Sequence, residues 1–345
     1  MRNLFILLLF FTSLVSASQF ANPYQGNVAV AEQSEDELKE LALKQVLVKV
    51  SGNAQVAEFN ESKLLLNKID RLLSQYGYQT LLNTRYFTAV FDKRQINQAL
   101  RDMQQPVWGE TRPITLVWLV SDGDNIRQLI SDNMVSQESN KEIASLFLAQ
   151  QHNRGISLQF PLMDLEDRLA LSISDVSGRF YKQITRASMR YGVEHMIVAN
   201  LQQLSADSWF LSWQLVKSEL AGKRSKVLVS DRQRGEKAAL ISAMVNKVAD
   251  YYAGQYAILD TQSEKFSQTI YVQGISSLAQ LTQLNSVLEN LLAIASFEIV
   301  SVQGSQVAVD IKINGGLNSF KNGLFAQPNL QPDLSQGETF HFNWR

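Results

Sequence analysis

Arg179, Lys182, Arg186 and Arg190 recur at spacings of three, four and four, which on a continuous helix would line one face with positive charge. The row suits an anionic partner. The plainer alternative is the wet side of an amphipathic helix whose apolar stripe is Val176, Phe180, Ile184, Ala187 and Tyr191. Lys223, Arg224, Lys226, Arg232, Arg234 and Lys237 form a second basic group, with Asp175, Glu219, Asp231 and Glu236 near enough to offset both.

Carboxylates crowd after Pro161 at Asp164, Glu166 and Asp167. Close carboxylates can share a proton or ligate a hard cation, so a hydrolase or transferase using Asp164 and Glu166 on an envelope glycan, lipid or peptide is one alternative. No calcium-loop spacing follows them, and a solvated turn or N-cap cluster is the expectation, as it is for Asp122 and Asp124. His152, His195 and His341 are scattered, no HExxH is present, and there is no cysteine. GxxxxGK[ST], GxGxxG and GxSxG are also missing, so no catalytic residue, metal or cofactor is expected. Trp108, Trp118, Trp209 and Trp213 are expected in cores or domain contacts, although a pocket lined by Trp108 and Trp118 would suit a small-ligand binding protein.

The N-terminus supplies an address. Arg2 precedes an apolar run from Leu4 to Phe11, and Val15, Ser16 and Ala17 form a small-residue cleavage pattern, which together predict a signal peptide cut after Ala17. The run is shorter than the roughly 20 residues that span a bilayer. A soluble periplasmic chain is therefore expected, without a transmembrane segment. The mature chain would carry 31 basic and 33 acidic side chains, a balance that does not favour nucleic acid. The expected role is noncatalytic, binding or scaffolding an envelope protein or an anionic envelope component.

The elements that would position these residues form three units. Residues 1–17 are the signal, 18–108 an N-terminal α/β domain, 109–262 a middle α/β domain and 263–345 a β-α-β-β domain. The expected class is α/β to α+β, with largely antiparallel sheets flanked by amphipathic helices. Ser34, followed by acidic residues, predicts a helix to about Val50, broken by Gly52. Leu65, Ile69, Leu72, Leu73 and Tyr76 predict a second helix ending at Gly77. Asp92 should cap a helix that buries Ile96, Leu100 and Met103. The prolines of Pro106–Pro113 suggest a linker or ordered crossing. Further on, Met196–Leu201, Trp209–Val216 and Lys226–Val229 suggest an antiparallel meander, and the alternating Phe340, Phe342 and Trp344 a closing edge strand able to extend a partner's sheet.

ALKQVLVKVSG at Ala42–Gly52 and PVWGETRP at Pro106–Pro113 resemble the periplasmic family called domain of unknown function 2066. RGISLQFPLMDLEDRLAL at Arg154–Leu171, with Tyr191 and Gly192, resembles the same family's second signature. The resemblance implies a periplasmic address and assigns no activity to any residue.

Overall fold

A computed structural model describes residues 22–110, 112–123, 126–132, 138–218, 224–259, 267–314, 316–333 and 340–345. The expected signal peptide lies outside them. The fold is α+β, built on three sheets that are mostly antiparallel.

In the first unit, helix α1 (Glu35–Ser51) starts where Ser34 and Glu37 form a reciprocal capping box, satisfying two amide groups that a helix start leaves unpaired. It stops at Gly52, which adopts a left-handed φ of 72° and donates to the Val48 carbonyl. A side chain there would be strained and would also meet Ala253 Cβ at 2.3 Å. Helices α2 (Asn60–Leu66) and α3 (Ile69–Leu72) follow. Strand β2 (Leu73–Leu81) then turns back as β3 (Thr84–Phe91), which also pairs β1 (Gln25–Ala29), giving the order β1-β3-β2. The helix expected from Leu65 to Tyr76 thus forms up to Leu72, as α2 and α3, and gives way to a strand from Leu73 onward. Tyr76 and Tyr78 both pack on Phe87, and the tip residues Leu82 and Asn83 both take positive φ, the backbone of a tight hairpin. Cross-strand pairing here overrides the helical spacing of the leucines. Asp92 caps α4 (Lys93–Asp102) by accepting from Gln95 N–H.

Val107 bridges Ile258, Trp108 N–H donates to the Val50 carbonyl and the Trp108 side chain is buried, so the proline-bounded stretch is an ordered crossing. The middle sheet runs β5-β4-β7-β8-β9 from β4 (Ile114–Gly123), β5 (Ile126–Leu129), β7 (His195–Ser205), β8 (Ser208–Ser218) and β9 (Ser225–Gly235), with β6 (Ser157–Gln159) also on β4. The β7–β8–β9 meander is antiparallel and β4 pairs β7 in parallel. One face carries Val117, Leu119, Ile197, Leu211, Trp213 and Leu215. Two long helices, α5 (Glu138–Arg154) and α9 (Lys237–Tyr256), cover it through Phe147, Met244, Val248 and Tyr252.

The opposite face, with Leu116, Trp118, Val120, Met196 and Val198, is covered by short helices α6 (Leu165–Ala170), α7 (Ile173–Ser177) and α8 (Tyr181–Ser188). The single helix expected from Val176 to Tyr191 is therefore broken. Ser172 and Asp175 form a capping box that starts α7 afresh, Gly178 ends it, and Arg179 takes a φ of 56° between helices. Gly192, at φ 64°, does end the last turn (Met189–Tyr191).

The third sheet has the order β11-β12-β10-β14-β13 and uses β10 (Ser267–Gln273), β11 (Ile294–Gln303), β12 (Gln306–Ile313), β13 (Leu330–Pro332) and β14 (His341–Trp344). Helices α10 (Leu278–Asn290) and α11 (Leu317–Phe325) complete its core through Leu284, Leu288, Phe320 and Leu324. β14 lies between β10 and β13, so the C-terminal strand is not the free edge anticipated. Its Phe342 and Trp344 enter the core because both neighbours supply hydrogen bonds and apolar cover. Among the described residues, no helix is long and apolar enough to cross a membrane.

Candidate functional site

The three carboxylates meet one member of the basic row, Arg190, on the short-helix side of the middle sheet. Asp164 is the N-cap of α6, accepting from Asp167 N–H at 3.1 Å. The Arg190 guanidinium grips Asp164 with two parallel bonds, Nη1 to Oδ1 at 2.7 Å and Nη2 to Oδ2 at 2.8 Å. Its Nη1 also reaches Asp167 at 3.0 Å and lies 3.7 Å from Glu166. This fork geometry is what a guanidinium does best with a carboxylate.

Asp167 is fully buried and three donors satisfy its two oxygens: Met163 N–H at 2.9 Å, the Tyr191 hydroxyl and Arg190. The Tyr191 oxygen in turn accepts from Leu162 N–H at 2.8 Å. Arg190 beside Asp164 holds that carboxyl well below the usual range, and the carboxylates raise the guanidinium still further. Burial, then the bond to Asp167, pushes the Tyr191 phenol up. Arg190 thus keeps Asp164 in its ionised form, and the knot orients the segment between β6 and α8.

The basic row does not form one face. Arg179, in the break before α8, turns inward and donates to Ser212 Oγ on β8, while Arg190 is committed to the carboxylates. Lys182 and Arg186 remain, one turn apart on α8, exposed and without an ion pair among the described residues. The second basic group is also dispersed: Lys237 pairs with Glu142 at 2.6 Å and sits over the Trp209 ring, and Arg234 lies over Phe210. Lys223 lies outside the described residues.

What the residue pattern did not reveal is the apolar content of this surface. Because Asp167 points inward, Leu165 and Leu169 point outward at i and i+4 and are 73% and 80% exposed, and Met189, adjoining Arg190, is 58% exposed. Leu162 and Phe180 are also exposed. The segment LMDLEDRLAL stands out in sequence for its carboxylates, and the inward anchor at Asp167 is visible only once Arg190 and Tyr191 are brought beside it.

Among the described residues, no three His, Asp or Glu side chains group so as to hold a metal ion. His341 stacks on Tyr271 at 4.6 Å. Burial keeps His195 neutral, at about 3. Trp108 and Trp118 are both fully buried, Trp118 Nε1 donating to Ser188 Oγ at 2.8 Å, and Trp108 borders a small cleft of about 30 Å³ beside Leu291 and Leu292.

The family described as Domain of unknown function (DUF8605) matches residues 17–109. That match corrects the resemblance to domain of unknown function 2066: ALKQVLVKVSG and the start of PVWGETRP fall inside the matched span, and the family model that matches there is a different one. No curated protein matches the chain.

Proposed function

We propose that the chain is exported to the periplasm, loses residues 1–17, and acts there as a noncatalytic envelope-binding protein that docks on an anionic lipid surface through helices α6 and α8. The observation that carries this reading is the pairing of exposed Leu165, Leu169 and Met189 with the uncommitted cations Lys182 and Arg186. Apolar side chains this exposed mark a contact surface, and cations on α8, the helix against which α6 packs, favour phosphate headgroups over neutral ones.

The magnitudes fit reversible docking. Burying a leucine side chain contributes about 1.5–3 kcal/mol, and each basic residue near an anionic leaflet about 1 kcal/mol. Two leucines and two cations thus reach the range of a single acyl chain, which binds a membrane only marginally. The Arg190 knot supports the reading by keeping the leucines outward.

Flotation of the mature protein with phosphatidylglycerol-containing vesicles, against pure phosphatidylcholine, tests it. Binding to the anionic vesicles should weaken with salt, fall about thirtyfold or more in the Lys182→Glu, Arg186→Glu variant, and disappear in Leu165→Glu, Leu169→Glu. Unchanged flotation of the leucine variant would overturn the reading, as would retention by an acidic protein surface with no vesicle binding.

A further inference from the structure

The C-terminal end of α1 collects buried cations. Arg112 Nη2 donates to the Lys49 carbonyl at 2.7 Å and stacks on Trp108 at 3.8 Å. Arg154 Nη2 donates to the Gly52 carbonyl at 3.0 Å and to Asp250 at 2.6 Å. The negative end of the helix dipole and its unpaired carbonyls account for these two arginines. They do not account for every polar atom there: Arg154 Nε and His152 Nδ1 are buried and find no partner in the protein.

Both residues line a cavity of about 550 Å³ between β1 and α1 on one side and α5 and α9 on the other. Lys44 lines it as well and forms no ion pair among the described residues. Its walls are completed by Leu41, Val48 and Ala149, and no described Asp or Glu lines it. The volume is that of a small-molecule site, where a few convergent polar groups among apolar walls fix the ligand's orientation. His152 stands edge-on to Tyr86 at 5.2 Å. Burial and the nearby Lys49 hold its ring neutral, at about 4, so it adds no second charge to the wall.

We propose that this interdomain cavity binds a small amphiphilic organic anion, its charged group meeting Lys44 and its apolar body lying against Leu41, Val48 and Ala149. The site draws one wall from the span matched by the family of unknown function and the other from the middle unit. It is independent of the exposed leucines of α6.

Octanoate is the probe, titrated calorimetrically into the full mature chain, with octanol and octylamine as neutral and cationic counterparts. Octanoate should bind more tightly than either. Lys44→Glu should weaken it about tenfold or more, and Ala149→Trp, which fills the cavity, should abolish binding. Ala54→Trp, on the opposite wall, is a second blocking variant should the first fail to fold by circular dichroism. Leu165→Glu, Leu169→Glu should bind octanoate normally. The proposal is overturned by equal binding of octylamine, by full binding in the blocked variants, by loss in the leucine variant, or by no heat at millimolar octanoate.

Discussion

The two faces of the middle sheet are made from the same strands, yet they are finished differently. On one face α5 and α9 lay long, continuous apolar stripes over Val117, Trp213 and Leu215. On the other, three short helices cover Leu116, Trp118 and Val198 and leave Leu165, Leu169 and Met189 in solvent. A long helix aligns one buried stripe along a whole sheet, whereas short helices reorient at every break and turn some apolar residues outward. Stability should therefore concentrate on the first face and surface recognition on the second. The first face is also where the N-terminal unit docks, since Arg154 of α5 holds both Gly52 and Asp250.

Trp213→Ala gives the comparison its hardest test. Trp213 is buried beneath the long helices, and its truncation should cost about 3–5 kcal/mol, measured by urea denaturation. A cost no larger than that of Ile184→Ala on the short-helix face would break the contrast.

Lys49 sharpens it through pH. Its ammonium is buried at the α1–α5 contact, and burial, then the charge of Arg112, lowers it from the ordinary lysine value to about 7. A folded value below the unfolded one means that the unfolded chain binds more protons between about pH 7 and the ordinary lysine range. Stability should therefore rise with pH across that window, with a slope of up to about 1.4 kcal/mol per pH unit. Lys49→Met should flatten the rise, and an identical pH profile in the variant would show that the amine is not dehydrated.

Asp167→Ala removes the acceptor shared by Met163 N–H, the Tyr191 hydroxyl and Arg190. A loss of about 1–3 kcal/mol is expected, with hydrogen exchange accelerating in α6 before α9. Uniform acceleration would mean that the two faces open together.

The smallest effect belongs to Leu165→Ser. The side chain is largely in water, so thermal stability should change by no more than about 0.5 kcal/mol while vesicle binding falls. A large destabilisation would place Leu165 in a core.

The start of α1, its stop at Gly52, the Asp92 cap and the Gly192 stop were all legible, because a capping side chain and the amide it satisfies lie within one helical turn. The β7–β8–β9 meander was equally clear from alternation and turn residues. The candidate surface was half visible. Its cations and carboxylates stood out by type, but the gripping of Asp164 by Arg190 joins residues 26 positions apart, and the break at Arg179 removed the continuous face that spacing suggested. The cavity was hidden altogether, since Lys44 and Arg154 come from different units.

By itself, then, the order of residues determined the caps, the punctuation and which strands alternate, all short-range matters of backbone and side-chain sterics. Tertiary structure alone decided that Leu73–Leu81 is a strand on β3, that Lys49 is buried while Leu165 is not, and that two units meet across a cleft lined by Lys44 and Arg154. The physical reason is that pairing and burial depend on partners far along the chain, and those partners have neighbours only after the sheet has formed.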